Sequence, residues 1–265
     1  MTVTPRFKDR VVVITGAARG IGFATAELAA QQGGTVVICD LDPTAVETAV
    51  KAIREAGGQA TGTTGDVSKL ADVRRNVDEI MAAHGKIDVL INNAAINTYH
   101  PTKTMSEEIW QRELAVCLTG PFFWAQAVGV ASMIPNRRGA IVNLGSGAAL
   151  AALPNCVAYI AAKHGVVGLT KSLAVDWGQY NIRVNCVCPG LTFTELSKAV
   201  ARQNPEMMRQ RELRIPLGRG AQPIDIAQTI LFLASSEADA ISGVAFGIDG
   251  GTLALSSGFS APRDA

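Results

Sequence analysis

An excess of charge of either sign is missing from this sequence. With 24 Lys and Arg against 23 Asp and Glu, the formal net charge is +1, which leaves no basic footprint for nucleic acid and no polybasic patch for a membrane surface. Cysteine is sparse and unpatterned. Cys39, Cys117, Cys156, Cys186 and Cys188 make an odd count of 5 with no Cys-x-x-Cys spacing, so neither a disulfide framework nor a zinc site is implied and no metal is expected. Long apolar runs are lacking as well: no stretch reaches the ~18 uninterrupted apolar residues of a membrane span. The opening MTVTPRFKDR sets charges beside an apolar run too short for a signal peptide. There is no linker, internal repeat or low-complexity segment. These absences imply a reducing, cytoplasmic setting and a small molecule as partner, with neither nucleic acid nor membrane. At 265 residues the chain suits one α/β unit with a large core.

What is there is an alternation. Apolar or β-branched runs bounded by Gly, Asn or Asp occur at 10–16, 35–40, 60–67, 86–94, 139–146 and 182–190, with a seventh, AFGIDGG, near the end. Helical patterns lie between them, such as PTAVETAVKAIREAGG, where Ala45, Val46, Ala49, Val50 and Ile53 form one stripe. Near-continuous apolar strands joined by amphipathic helices predict a doubly wound, seven-stranded parallel sheet with helices on both faces.

The first strand-to-helix junction reads TGAARGIG, 15–22. Gly16, Gly20 and Gly22 sit where the chain must turn sharply and let backbone amides approach a diphosphate at a helix N-terminus. Asp40 ends the second strand, where a carboxylate accepts hydrogen bonds from ribose hydroxyls and repels a 2′-phosphate, which favours NAD over NADP. Arg19, in the same loop, works in the opposite direction by pairing with a phosphate.

A second chemical signal lies in SGAALAALPNCVAYIAAK, 146–163. Tyr159 and Lys163 are four apart, hence neighbours on one helix face. A phenol ionises near pH ~10 in water, and a fixed cation within a few ångströms favours the phenolate.

In order and in spacing, TGAARGIG, Asp66-Val67, NNAA (92–95), Ser146, YIAAK (159–163) and PGLTFT (189–194) resemble the short-chain dehydrogenase/reductase family over about residues 8–251. The resemblance implies a single-domain Rossmann fold over 1–265. It also implies hydride transfer between a nicotinamide cofactor and a secondary alcohol or ketone, with a polyol, sugar or small hydroxy compound as substrate. Tyr159 would be the acid/base, Lys163 would hold the nicotinamide ribose, and Ser146 would bind the substrate oxygen. Gly16, Arg19, Gly20, Ile21, Gly22, Asp40 and Leu41 would hold the adenosine diphosphate, Asp66 and Val67 the adenine, and Asn93 the ribose beside it. Pro189, Gly190, Thr192 and Thr194 would clasp the carboxamide. Alternative activities on the same scaffold are reduction of a 3-oxoacyl thioester, oxidation of a hydroxysteroid, an NAD-using epimerase or lyase, and a dinucleotide sensor without catalysis.

Substrate contacts are expected from Asn97, Tyr99, His100, Ala148, Leu153 and Cys156, beneath a lid over 192–219 rich in Lys and Arg. His84 and His164 are read as solvated helix positions. The family's subunit contacts imply a homotetramer, with a dimer as the alternative, built through the helix of Tyr159 and the last strand, and the tail 252–265 reads as an extension beyond the core that either reaches a neighbouring subunit or is disordered. The chain departs from the family pattern at two places. Ala95 replaces a glycine and needs a negative φ to fit, and Cys117 replaces an asparagine that stabilises a helix distortion, so only the main-chain carbonyl remains for a proton relay.

Overall fold

In the computed structural model, which describes residues 5–203 and 205–256, strands and helices alternate along the chain. The strands are β1 (Val11–Thr15), β2 (Thr35–Asp40), β3 (Gln59–Thr64), β4 (Val89–Asn92), β5 (Gly139–Leu144), β6 (Ile182–Pro189) and β7 (Ala245–Ile248). They form one parallel sheet in the order β3-β2-β1-β4-β5-β6-β7. The helices are α1 (Gly20–Gln31), α2 (Pro43–Glu55), α3 (Leu70–His84), α4 (Glu107–Leu114), α5 (Gly120–Val128), α6 (Val157–Trp177), α7 (Glu195–Gln203), α8 (Pro205–Leu213) and α9 (Pro223–Ala234).

Helix α2 shows how pattern becomes element. Asp42 caps it by accepting from the amides of Thr44 and Ala45, and Pro43 starts its first turn. Of the stripe foreseen in the sequence, Val46, Ala49, Val50 and Ile53 are its buried face and Ala45 is half-buried at the margin; each larger side chain stabilises the fold by about 1.5–3 kcal/mol on burial. That stripe joins Ala26 and Ala29 of α1 and Ile226 and Ile230 of α9 on one face of the sheet. Val73 and Val77 of α3, Trp124 and Val128 of α5 and Leu173 of α6 cover the other. Both faces being covered, β1, β4 and β5 are buried throughout.

From Glu107 to Met133 the chain is one unbroken helix, in which α4 and α5 alternate with π-helical turns at Ala115–Thr119 and Gly129–Met133. By length and composition it could cross a membrane, with a mean hydropathy of 1.6 in its most apolar window, of which 44% is buried. Packing accounts for that composition, since Trp124, Ala125, Val128 and Met133 meet Val13, Leu90 and Ile141 of the sheet. Strand order reverses between β1 and β4, and at such a point a crevice opens beyond the carboxyl ends of the strands.

Candidate active site

At the end of β1 the chain turns through Gly16 (φ +62°) and Gly20 (φ +59°) into α1. A Cβ on Gly16 would lie 2.7 Å from Cα of Ala94, and one on Gly22 would lie 2.4 Å from the Gly16 carbonyl oxygen. The loop therefore needs glycine at 16 and 22 for close approach, and at 20 for its left-handed backbone. Asn93 fastens it from β4: its Nδ2 donates to the carbonyls of Thr15 (2.9 Å) and Gly16 (2.8 Å), and its amide donates to Thr15 Oγ1 (3.0 Å). Arg19 precedes α1 in an extended conformation and makes no side-chain capping bond. The first-turn amides thus lack a capping side chain, at the helix terminus best suited to an anion.

Asp40 closes β2. Its Oδ2 accepts from the amide of Ala18 (3.0 Å) and its Oδ1 from that of the exposed Leu41 (2.8 Å), leaving lone pairs for hydroxyl donors. Asp66 turns the chain after β3, its Oδ1 accepting from the amide (2.9 Å) and hydroxyl (2.6 Å) of Ser68, with Arg112 at 3.7 Å. Burial raises this carboxyl's pKa, but Ser68, Arg112 and Lys69 outweigh it and hold the group below the usual carboxylate range. Val67 packs against Val116 and Cys117.

The four-residue spacing of Tyr159 and Lys163 falls in the first turns of α6. Lys163 is 2% exposed. Its Nζ donates to the Leu144 carbonyl at 2.6 Å and stands 5.6 Å from the centre of the Tyr159 ring, which leaves N–H donors for entering hydroxyls. Ser146 follows β5 with its Oγ accepting from the amide of Ala148 (3.1 Å), so its O–H remains free to donate. All three line one cavity of about 210 Å³ together with Ile21, Asn93, Pro189, Gly190, Thr192 and Thr194. Uncapped amides, a carboxylate at the β2 edge and a buried ammonium fit the diphosphate and ribose hydroxyls of a dinucleotide. Among the described residues no group of His, Cys, Asp and Glu could hold a metal ion.

Both departures from the family pattern resolve into local geometry. Ala95 is exposed and lies outside the positive-φ residues, so its methyl costs no strain. Cys117 is fully buried within the π-helical turn 115–119. Its Sγ donates to the Ile96 carbonyl (3.2 Å) and receives the Ile96 amide (3.4 Å). Burial pushes this thiol's pKa up against the opposing pull of Lys163, and the side chain pins the loop that borders the cavity.

Among the residues expected to touch substrate, Asn97 and Leu153 line this cavity, and Ala148 and Leu153 line an adjoining one. His100 and Cys156 are not among the residues that line these two cavities. Asn155 turns the chain at φ +57° and Cys156, 1% exposed, faces inward, while the His100 amide donates to the Asn155 carbonyl (2.8 Å). That bond joins the loop after β4 to the loop before α6. His84 contacts Thr61 and His164 contacts the Ile160 carbonyl, both away from the crevice.

Tyr99, from the same loop as Asn97, lines the cavity too, as do Met208 and Arg211 of the segment expected to close over the substrate. The segment expected to be a lid forms two helices, α7 and α8, with Met208 packed against Leu191 and Ile215. The tail is not merely an extension, because Thr252, Leu253 and Leu255 form a wall of the adjoining cavity; its remainder, 257–265, lies outside the described residues. Glu113 was also missed. Fully buried, it accepts from both the amide and the hydroxyl of Thr98. The readable signal was an acid four residues before Cys117 on an otherwise apolar stripe.

Comparison with known proteins agrees with this geometry. Residues 16–252 match a family model described as enoyl-(acyl carrier protein) reductase. The 2-(S)-hydroxypropyl-CoM dehydrogenase 3 of Xanthobacter autotrophicus is 36% identical over 253 residues, 94% of this chain and 99% of that protein. The D-threitol dehydrogenase of Mycolicibacterium smegmatis is 39% identical, over 93% of this chain and 94% of its own. A solved structure described as a candidate NAD(P)-dependent gluconate 5-dehydrogenase from Beutenbergia cavernae, with NADP bound at low occupancy, superposes with a TM-score of 0.90. It is 33% identical, covering 95% of this chain and 100% of that one.

Proposed function

The chain belongs to the short-chain dehydrogenase/reductase family and is a nicotinamide-dependent oxidoreductase acting on CH–OH groups; from that premise we propose that it interconverts a small secondary alcohol and its ketone, with NAD as cofactor and Tyr159 as acid/base. When bound, the cofactor supplies or takes the hydride. Tyr159 gives its phenolic proton to the carbonyl oxygen on reduction and accepts one from the hydroxyl on oxidation. Ser146 donates its free O–H to the same oxygen and so fixes the reacting carbon. Lys163, tethered by Leu144, keeps a positive charge under the phenol and offers its remaining N–H groups to the ribose. Gly16, Arg19, Gly20, Ile21 and Gly22 receive the diphosphate. Asp40 and Leu41 hold the adenosine ribose edge, with Asp66, Val67 and Asn93 beside the adenosine, and Pro189, Gly190, Thr192 and Thr194 face the carboxamide.

The convergence of Ser146, Tyr159 and Lys163 in one crevice carries this reading. The Asp40 carboxylate, still able to accept hydroxyl donors, supports NAD over NADP, and the D-threitol dehydrogenase relative supports a polyol or hydroxy compound. The reading includes a homotetramer in the cytoplasm. The test is turnover of secondary alcohols, polyols and their ketones with NAD and NADP in parallel, beside Tyr159→Phe. The expected result is activity with NAD that falls about 10²–10⁴-fold in the variant while dinucleotide binding persists. A variant that binds NAD and turns over at the wild-type rate overturns the assignment.

A further inference from the structure

The crevice does not end at the reacting atoms. Past Ser146 it continues into a second cavity of about 390 Å³, which shares Ser146, Leu153, Leu191 and Arg211 with the first. A space of that size takes more than a three- or four-carbon alcohol, and its walls include the small apolar Ala148, Ala151 and Ala152.

The charges facing the two cavities are Lys163, Arg211 and Arg214 against Asp249 alone. Asp249 is engaged by the backbone, its Oδ1 accepting from the Gly251 amide (2.9 Å) and its Oδ2 from the Leu253 amide (2.7 Å). Other cations of the lid have carboxylate partners: Lys198 with Glu195 at 2.7 Å, Arg209 with Glu206 at 3.3 Å and Arg219 with Asp225 at 2.8 Å. None of the ion pairs among the described residues includes Arg211. It is half-buried at the inner side of α8, and the group facing its guanidinium is the phenol of Tyr99, a neutral neighbour. A cation partly withdrawn from water with only a neutral partner is left short of compensation. Its planar fork matches a carboxylate, sulfonate or phosphate. Solvation of a helix face explains the exposed Arg209 but not the inward Arg211.

We propose that the substrate carries an anionic group set apart from its reacting carbon, docked in the second cavity by Arg211 with Arg214. This rests on the oxidoreductase reading above and names its substrate class, an anion-bearing hydroxy or keto compound. Arg211 is here a specificity residue and takes no part in proton movement.

The test compares short hydroxy and keto compounds ending in carboxylate, sulfonate or phosphate, each with a neutral amide or alcohol counterpart, on the wild type and on Arg211→Gln, Arg211→Lys and Arg214→Gln. The expected result is a preference for at least one charged series, and the series preferred identifies the anion. The charged-to-neutral ratio of kcat/KM falls about 10–100-fold in Arg211→Gln, mainly through KM, and Arg211→Lys recovers part of it. Equal use of charged and neutral compounds, or a preference that survives Arg211→Gln, overturns the proposal. Calorimetric titration of the same anions into the NAD-loaded protein separates the two readings. Arg211-dependent binding without turnover retains the subsite and sinks the redox reading. Turnover without Arg211-dependent binding does the reverse, and neither binding nor turnover overturns both.

Discussion

Gly22 and Cys117 show how single residues set the crevice. A methyl at Gly22 would meet a backbone carbonyl at 2.4 Å, an atom that cannot yield without moving the turn. Gly22→Ala is therefore expected to cost about 1–3 kcal/mol as overpacking does and to weaken dinucleotide binding measured by calorimetry. Gly57→Ala is the control, because Gly57 has φ +84° and nothing within 4 Å of its Cβ position; it should lose stability from backbone strain, about 1–2 kcal/mol, and bind the dinucleotide normally. Equal binding by the two variants would show that the loop has room. At Cys117 a serine hydroxyl can repeat the two-way bond to Ile96, so Cys117→Ser should cost about 1 kcal/mol in denaturant unfolding and keep most activity. Loss of several orders of magnitude would make the thiol itself essential. The glycines, Asp40 and the pair Tyr159 and Lys163 were legible because local spacing fixes their neighbours, whereas Ser146 was legible only through the family resemblance. The placement of His100 and Cys156 was less legible because it depends on Asn155, whose left-handed turn no spacing rule reveals.

Elements were legible where burial is one-sided and opaque where it is not. The stripe of α2 announces its own face, whereas the helix 107–133 is apolar nearly all round from 114 to 133 and contains Gly120, Pro121 and Gly129, residues that ordinarily interrupt a helix. Two π-helical turns absorb those residues and keep the helix running. The first of them presents Cys117, and the last turn of α4 presents Glu113, to one loop after β4, at Ile96 and Thr98 respectively. That loop carries Asn97 and Tyr99 into the cavity. Removing the clamp in Glu113→Ala strands two donors of Thr98, a loss of about 1–3 kcal/mol. The loosened loop should raise KM more than it lowers kcat. Glu113→Gln keeps an acceptor oxygen and should recover both. A variant with wild-type KM and melting temperature would show that the loop holds its place without Glu113.

At the scale of the molecule the sheet has two unlike edges. The β3 edge carries Gln59, Thr61 and Thr63, which hydrogen-bond to Thr35, His84 and Asn76 of the same chain. The β7 edge carries Phe246, 49% exposed, beside Val244, with Val175 of α6 80% exposed. An apolar edge strand left open is a template for uncontrolled pairing, and a closed isologous contact with a second copy removes it. Parallel βαβ winding determines that β7 ends the sheet, so the face offered to a partner follows from the same topology that builds the crevice. If β7 and α6 together make the proposed tetramer, Phe246→Arg places a charge in the contact and should halve the assembly. Sedimentation is then expected to give four times 27.7 kDa for the wild type and a dimer for the variant, with an unchanged circular dichroism spectrum. A wild type that sediments as a single chain at micromolar concentration would overturn the tetramer, and a variant that stays tetrameric would move the contact away from β7.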